Sequence, residues 1–233
     1  MDFETRSLDL LFDAHAELSA SLNSLGGKQG SGYVDNFRFW SSVYMGHVSQ
    51  GFIYLRRANG IAESRFLIRP AIELMLKQKA IEQRPDLIYR LGLTETRSDR
   101  TWLRALSRQV GETFDEAAYD AQLRKFKNDC AKLFPSGDFA DARLTIEEPA
   151  KVIDGGEAYY NSHYRTYGKF THATLRVIIG GLDEVTTDED NPTMILCVLS
   201  AVESLASIGG SCPNLARLSA RRDQLLKQKL TGC

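Results

Sequence analysis

Apolar residues in this chain recur three and four positions apart, and almost nowhere do they alternate. Phe3, Leu8, Leu10, Leu11, Phe12, Leu18 and Leu22 form one such stripe. Phe37, Trp40, Val43, Tyr44, His47 and Phe52 continue a second. This period places apolar side chains on one face of a helix, whereas a half-buried strand needs a period of two. The only strand-like run, Val177-Ile178-Ile179, is too short to build a sheet. The spacing therefore predicts an all-α bundle of about six to nine helices.

Punctuation sets the expected boundaries. A first helix occupies the first 25 residues, and the glycine-rich segment Gly26–Gly32 breaks it. A second runs to about Ala58, with Asp35 as its cap, and a third covers about 61–83 before Pro85. Shorter helices are expected at 85–92 and 99–110, a longer one at 113–134, and an irregular loop at 135–149. Helical pattern resumes over 156–179, breaks at Gly180-Gly181, and returns from Met194 to Ile208 and after Pro213. No linker divides the chain, so a single domain over 1–233 is expected. It comprises N-terminal helices (1–83), shorter connecting helices (85–134) and motif plus C-terminal helices (156–229).

Several function classes fall away on spacing. The Gly26–Gly32 run lacks a preceding strand and a Gly-Lys-Ser/Thr ending, so it reads as an inter-helix connector, not a phosphate loop. The acids Asp183, Glu184, Asp188, Glu189 and Asp190 lack the alternating ligands of a calcium loop and read as a solvated loop plus helix cap. No metal or cofactor motif is found. Four well-separated cysteines (Cys130, Cys197, Cys212, Cys233) read as free thiols, and the N-terminus lacks a secretory pattern, so a cytoplasmic protein without a membrane span is expected. With 29 basic and 30 acidic residues the net charge is −1. Any nucleic-acid contact must then be local rather than driven by bulk charge. His15 and His47 read as packing residues, and Arg100, Arg104 and Arg108 as a wet helix face.

Two segments look chemical. In the first, Arg65, Arg69 and Glu73 stand at i, i+4 and i+8 on an otherwise apolar helix. Buried charge must be paired, so Arg69 and Glu73 form either an internal packing pair or one wall of a polar pocket. Pro70 is expected to kink that helix. In the second, Tyr159 to Ala173, Arg165 and His172 are seven residues apart, only about 20° short of two full turns. Asn161 lies one turn earlier and Gly168 between them, where a glycine points to close approach of another group. The segment is either a tyrosine-rich polar seam or a site that holds a phosphate.

Arg165-x6-His172 on a late helix of an all-α chain resembles the HEPN superfamily of toxin and phage-defence proteins. Arg69-x3-Glu73 together with Tyr164-Arg165-x2-Gly168-x3-His172 is also similar to a bacterial family of helical proteins of unassigned function. The resemblance implies metal-independent RNA cleavage at a composite site between two protomers. It would make Arg165 and His172 catalytic, with Asn161 and Tyr164 orienting them and Arg69 and Glu73 in support. HEPN ribonucleases usually have Asn, Asp or His after the arginine, where this chain has Thr166. A homodimer, an RNA substrate and an antitoxin or regulatory partner are the implied associations. A non-catalytic helical protein that binds a partner, a small ligand or a nucleotide through the same seam is the alternative.

Overall fold

The computed structural model describes residues 2–26, 32–142, 144–171 and 189–231, with residues 169–171 as backbone alone. Among them every regular element is helical and none is a strand. In chain order these are α1 (Phe3–Ser24), α2 (Tyr33–Arg57), α3 (Ile61–Arg65), α4 (Ile68–Gln83), α5 (Leu87–Val110), α6 (Glu116–Leu133) and α7 (Glu147–Val152). Then come α8 (Gly156–Tyr159), a π turn (Tyr160–Tyr164), α9 (Arg165–Thr171), α10 (Asp190–Ala206) and α11 (Leu215–Thr231). Among the described residues no helix is long and apolar enough to cross a membrane.

The element least polar around its circumference takes the centre. Along α10, Met194, Ile195, Cys197, Val198, Leu199, Ala201, Val202 and Leu205 are all buried, so every side of it needs a neighbour. Those neighbours are α1, α2, α4 and α11. Leu11, Leu18, Met45, Phe52, Ile72 and Leu76 close around it. Asp2 caps α1 by accepting from the Thr5 amide at 2.7 Å. A second cluster joins the end of α4 to α5 and α6 through Ile81, Leu87, Ile88, Leu91 and Cys130.

Four expected boundaries differ. The segment 61–83 is two helices, because the chain turns at Phe66 and Leu67 before α4 starts. Pro70 therefore stands in the first turn of α4, where its missing N–H is no loss, and starts a helix instead of kinking one. The segments 85–92 and 99–110 are one helix, α5. A side chain at Gly92 would meet the Phe126 ring at 2.7 Å, so this glycine admits α6 and does not end a helix. The end of the expected loop, 147–149, opens the helix α7 that runs to Val152, and Asp35 lies inside α2 paired with Arg38 instead of capping it. The strand-like Val177–Ile179, the Gly180-Gly181 break, Asp183, Glu184 and Asp188, Cys233 and most of the 26–32 connector lie outside the described residues.

A buried ionic cluster ties the termini of four elements together. Asp190, the first residue of α10, is fully buried. Its Oδ2 accepts from Arg65 Nε at 3.0 Å and lies 3.7 Å from Arg56 Nη1. Its Oδ1 accepts from the Tyr167 hydroxyl at 2.7 Å. Arg56 Nε also donates to Asn191 Oδ1 at 3.2 Å, and Asn191 Nδ2 donates to Ser7 Oγ at 2.9 Å. The charged pair expected in this core is thus Arg65–Asp190, not Arg69–Glu73. Removing one partner of such a pair leaves the other charged and dry, which costs about 3–5 kcal/mol. Asp190→Ala is expected to destabilise the chain by about that much in urea unfolding, whereas Asp35→Ala, which breaks a more exposed pair, changes it by about 1 kcal/mol or less.

Candidate functional site

The chemical residues gather where the chain passes from α8 through the π turn into α9. A π turn carries one extra residue per turn, a feature common at functional sites. Here it separates two stacked ring pairs. Tyr159 and His163 lie face to face, with centroids 4.3 Å apart and planes 8° from parallel. Tyr160 and Tyr164 stack at 5.0 Å and 19°. Each ring of the second pair carries a guanidinium: Arg165 Cζ is 5.4 Å from the Tyr160 centre, and Arg69 Cζ is 4.9 Å from the Tyr164 centre. Such contacts favour the cation by about 0.5–1 kcal/mol at exposed sites and more when dry.

Arg69 reaches this column from the first turn of α4. Its Nη2 donates to the Tyr164 hydroxyl at 3.0 Å, across 95 residues of sequence. A Cβ built at Gly168 would stand 3.7 Å from Arg69 Nη1. The group that approaches Gly168 is therefore the Arg69 guanidinium, at a distance that leaves room for a methyl group. Tyr164 is buried, while Arg165 and Asn161 are exposed on the outer side. Arg165 also helps Lys151 hold the Glu147 carboxyl below its usual range, which puts its charge near the start of α7.

The structure brings together Arg69, Tyr164, Gly168 and Arg165 from the sequence-derived set. It does not bring Glu73. That carboxylate is 37% exposed and pairs with Lys77 at 2.9 Å along the same helix. The turn at 66–67 separates Arg65 from Arg69, and within α4 Arg69 reaches Tyr164 while Glu73, one turn further on, is taken by Lys77. His172 lies outside the described residues, so its place relative to Arg165 is an expectation. His15 is a packing residue, with Nδ1 2.9 Å from Ser49 Oγ, and His47 is exposed. Arg100 and Arg104, expected as a wet face, both pair with Glu116.

Sequence reasoning passed over Tyr167, His163 and the burial of Asp190. Asp190 sat in a run of acids read as a solvated loop plus helix cap, and that reading did not foresee its burial. Tyr167 follows Tyr160 and Tyr164 at helical spacing, a signal that was present but unspecific. Burial, reinforced by the Asp190 charge, raises the Tyr167 phenol well above its ordinary pKa, so the proton stays in place as the donor. Among the described residues no group of three His, Cys, Asp or Glu side chains could hold a metal ion. A comparison with protein-family models, with curated proteins and with solved structures finds no significant match.

His163 is half-buried, its Nδ1 2.7 Å from Ser162 Oγ and its Nε2 3.9 Å from Glu189. Burial lowers its pKa below the ordinary 6.5, against an opposing pull from Glu189. Burial lowers His15 in the same way. The unfolded chain therefore takes up these protons first as pH falls. Their contribution is intact above about pH 6.5 and declines on acidification through the lowered folded-state values. His15→Gln and His163→Gln are each expected to flatten the dependence of urea midpoint on pH below about 6.5.

Proposed function

We propose that the chain is a HEPN-like helical protein that binds an RNA phosphodiester on the face carrying Arg69, Tyr164 and Arg165 and cleaves it without a metal. The observation that carries this reading is the Arg69–Tyr164 hydrogen bond, which joins the two sequence motifs of the resemblance at Gly168. A guanidinium stays ionised and can bind two phosphate oxygens at once. Arg165 is the exposed member, free to meet the strand, and the tyrosine column behind it keeps its charge in place. Arg69 adds a second positive charge from beneath. The chain's net charge of −1 makes such a local cationic face the means of attracting a polyanion.

His172 follows seven residues after Arg165 and is the proton carrier in this proposal. Its imidazole takes the proton of the ribose 2′-hydroxyl, and the 2′-oxygen bonds to phosphorus. The P–O5′ bond breaks, the His172 imidazolium returns its proton to the leaving 5′-oxygen, and the upstream fragment ends in a 2′,3′-cyclic phosphate. Arg165 offsets the charge that builds on the equatorial oxygens. Asn161 stands on the same outer side as Arg165 and orients the strand. A second protomer in a homodimer completes the cleft with its own copy of this face.

Purified wild type, Arg165→Ala and His172→Ala incubated with mixed RNA in EDTA test the proposal. Wild type is expected to yield 2′,3′-cyclic ends. His172→Ala is expected to bind RNA yet cut about 100- to 10,000-fold more slowly. Arg165→Ala is expected to lose both. RNA binding by wild type without cutting would assign the seam to the non-catalytic alternative, and absence of both binding and cutting would overturn the proposal.

A further inference from the structure

Helix α2 departs from the rule that a surface helix turns its charges to water. Trp40, Tyr44, His47, Gly51, Tyr54 and Ala58 fall within about 40° of one line along it. The four charged residues of α2, Asp35, Arg38, Arg56 and Arg57, all lie more than about 90° away from that line. The row faces outward nonetheless. Trp40 is 54% exposed, Tyr44 53% and Tyr54 66%, and His47 and Ala58 are exposed as well. The Trp40 ring meets the buried Phe39 ring edge to face, with centroids 5.2 Å apart. Single exposed apolar residues need no explanation. Three such rings in one row leave roughly 300 Å² of aromatic surface in water, as much as the largest apolar patch on a typical monomer. Among the described residues α2 packs on α1, α3, α4 and α10, and none of them covers these rings.

The row is its own complement. In a twofold pairing one row faces its own copy, so large side chains need small ones at matching distances from the axis. Trp40 and Ala58 each stand nine residues from Ser49, Tyr44 and Tyr54 five, and His47 and Gly51 two. We propose that α2 is a homodimer interface, in which two copies of this row pack antiparallel about a twofold axis at the level of Ser49. Trp40 then meets Ala58 of the partner subunit, Tyr44 meets Tyr54 of the partner subunit, and His47 meets Gly51 of the partner subunit. No pair opposes like charges, whereas a parallel pairing would set Trp40 against its own copy and leave a gap at Gly51. A nucleic acid on these rings would need cations beside them, and the row offers no lysine or arginine. With Phe12, Val43 and Gln50 at the rim, the pairing hides about 1,200 Å² in total, the low end for a specific interface. A Cβ built at Gly51 would stand 3.2 Å from Leu67, so the middle of the row adjoins the turn that leads to Arg69. The inference deepens the proposed function by naming the surface that brings in the second protomer, and rests on that reading only for what the second copy does. It uses none of Arg69, Tyr164, Arg165 and His172.

Sedimentation equilibrium on the full chain from about 1 to 100 μM provides the test. The 26.1 kDa chain is expected to dimerise in the micromolar range. Tyr44→Lys and Tyr54→Glu, both on the exposed face, should each weaken the dimer at least about tenfold, with circular dichroism unchanged. Combining the two in one chain sets opposite charges against each other twice across the axis, and should restore dimerisation above either single variant. The two positions are ten residues apart, too far to pair within one helix. A wild-type monomer at every concentration, a dimer indifferent to both single variants, or a combined variant no tighter than the singles would overturn the proposal. RNA cleavage by a monomeric wild type would leave the phosphodiester reading standing and sink this one.

Discussion

A carboxylate with no access to water, Asp190, sets the geometry on which the rest of the site depends. It begins the central helix α10, and three side chains from other elements converge on it: Arg56 from α2, Arg65 from α3 and Tyr167 from α9. A lone buried carboxylate is strongly unfavourable, and each partner offsets part of that penalty only from a narrow range of positions. The cluster therefore acts as a locator. Because Arg65 must reach inward, the chain turns at Phe66–Leu67 and α4 starts afresh, with Arg69 aimed at α9. Because Tyr167 must reach inward, Tyr164 faces Arg69 one turn earlier and Arg165 faces outward.

The helices were largely legible because their signal is repetition, and repetition survives local exceptions. α1, α2, α6, α10 and α11 lie close to where apolar spacing placed them. What failed was identification of individual partners. The regular spacing of Arg65, Arg69 and Glu73 suggested one line on one helix, and no glycine or proline at 66–67 announced that the line was broken. Pro70 was the available clue, since a proline fits the first turn of a helix better than its middle. Gly92 misled in the opposite direction, because a glycine that admits a neighbouring ring looks in sequence like one that ends a helix. Asp190 was hidden among solvated acids, and only tertiary packing distinguishes it from Glu189 beside it.

The π turn gives one short segment two faces. Tyr160, Tyr164 and Arg165 turn toward Arg69 and α7, whereas Tyr159 and His163 turn toward α10 and α11. The first face is cationic, backed by aromatic rings, and open at Arg165. The second is mostly apolar, with the Tyr159 hydroxyl buried behind it. Neither face uses Glu73, which the i, i+4 spacing had joined to Arg69 and which the structure commits to Lys77. The proposed HEPN-like reading draws on residues of the first face together with His172.

The central claim is that Asp190, acting through Tyr167, holds the Arg165 helix in register against α4. Amide hydrogen exchange on Tyr167→Phe tests this most directly, because the substitution keeps the ring and removes only the donor to Asp190. Protection is expected to fall selectively over residues 160–168, with α1 and the middle of α10 unchanged. Protection that stays at the wild-type level over 160–168, or that falls equally in every helix, would contradict the account.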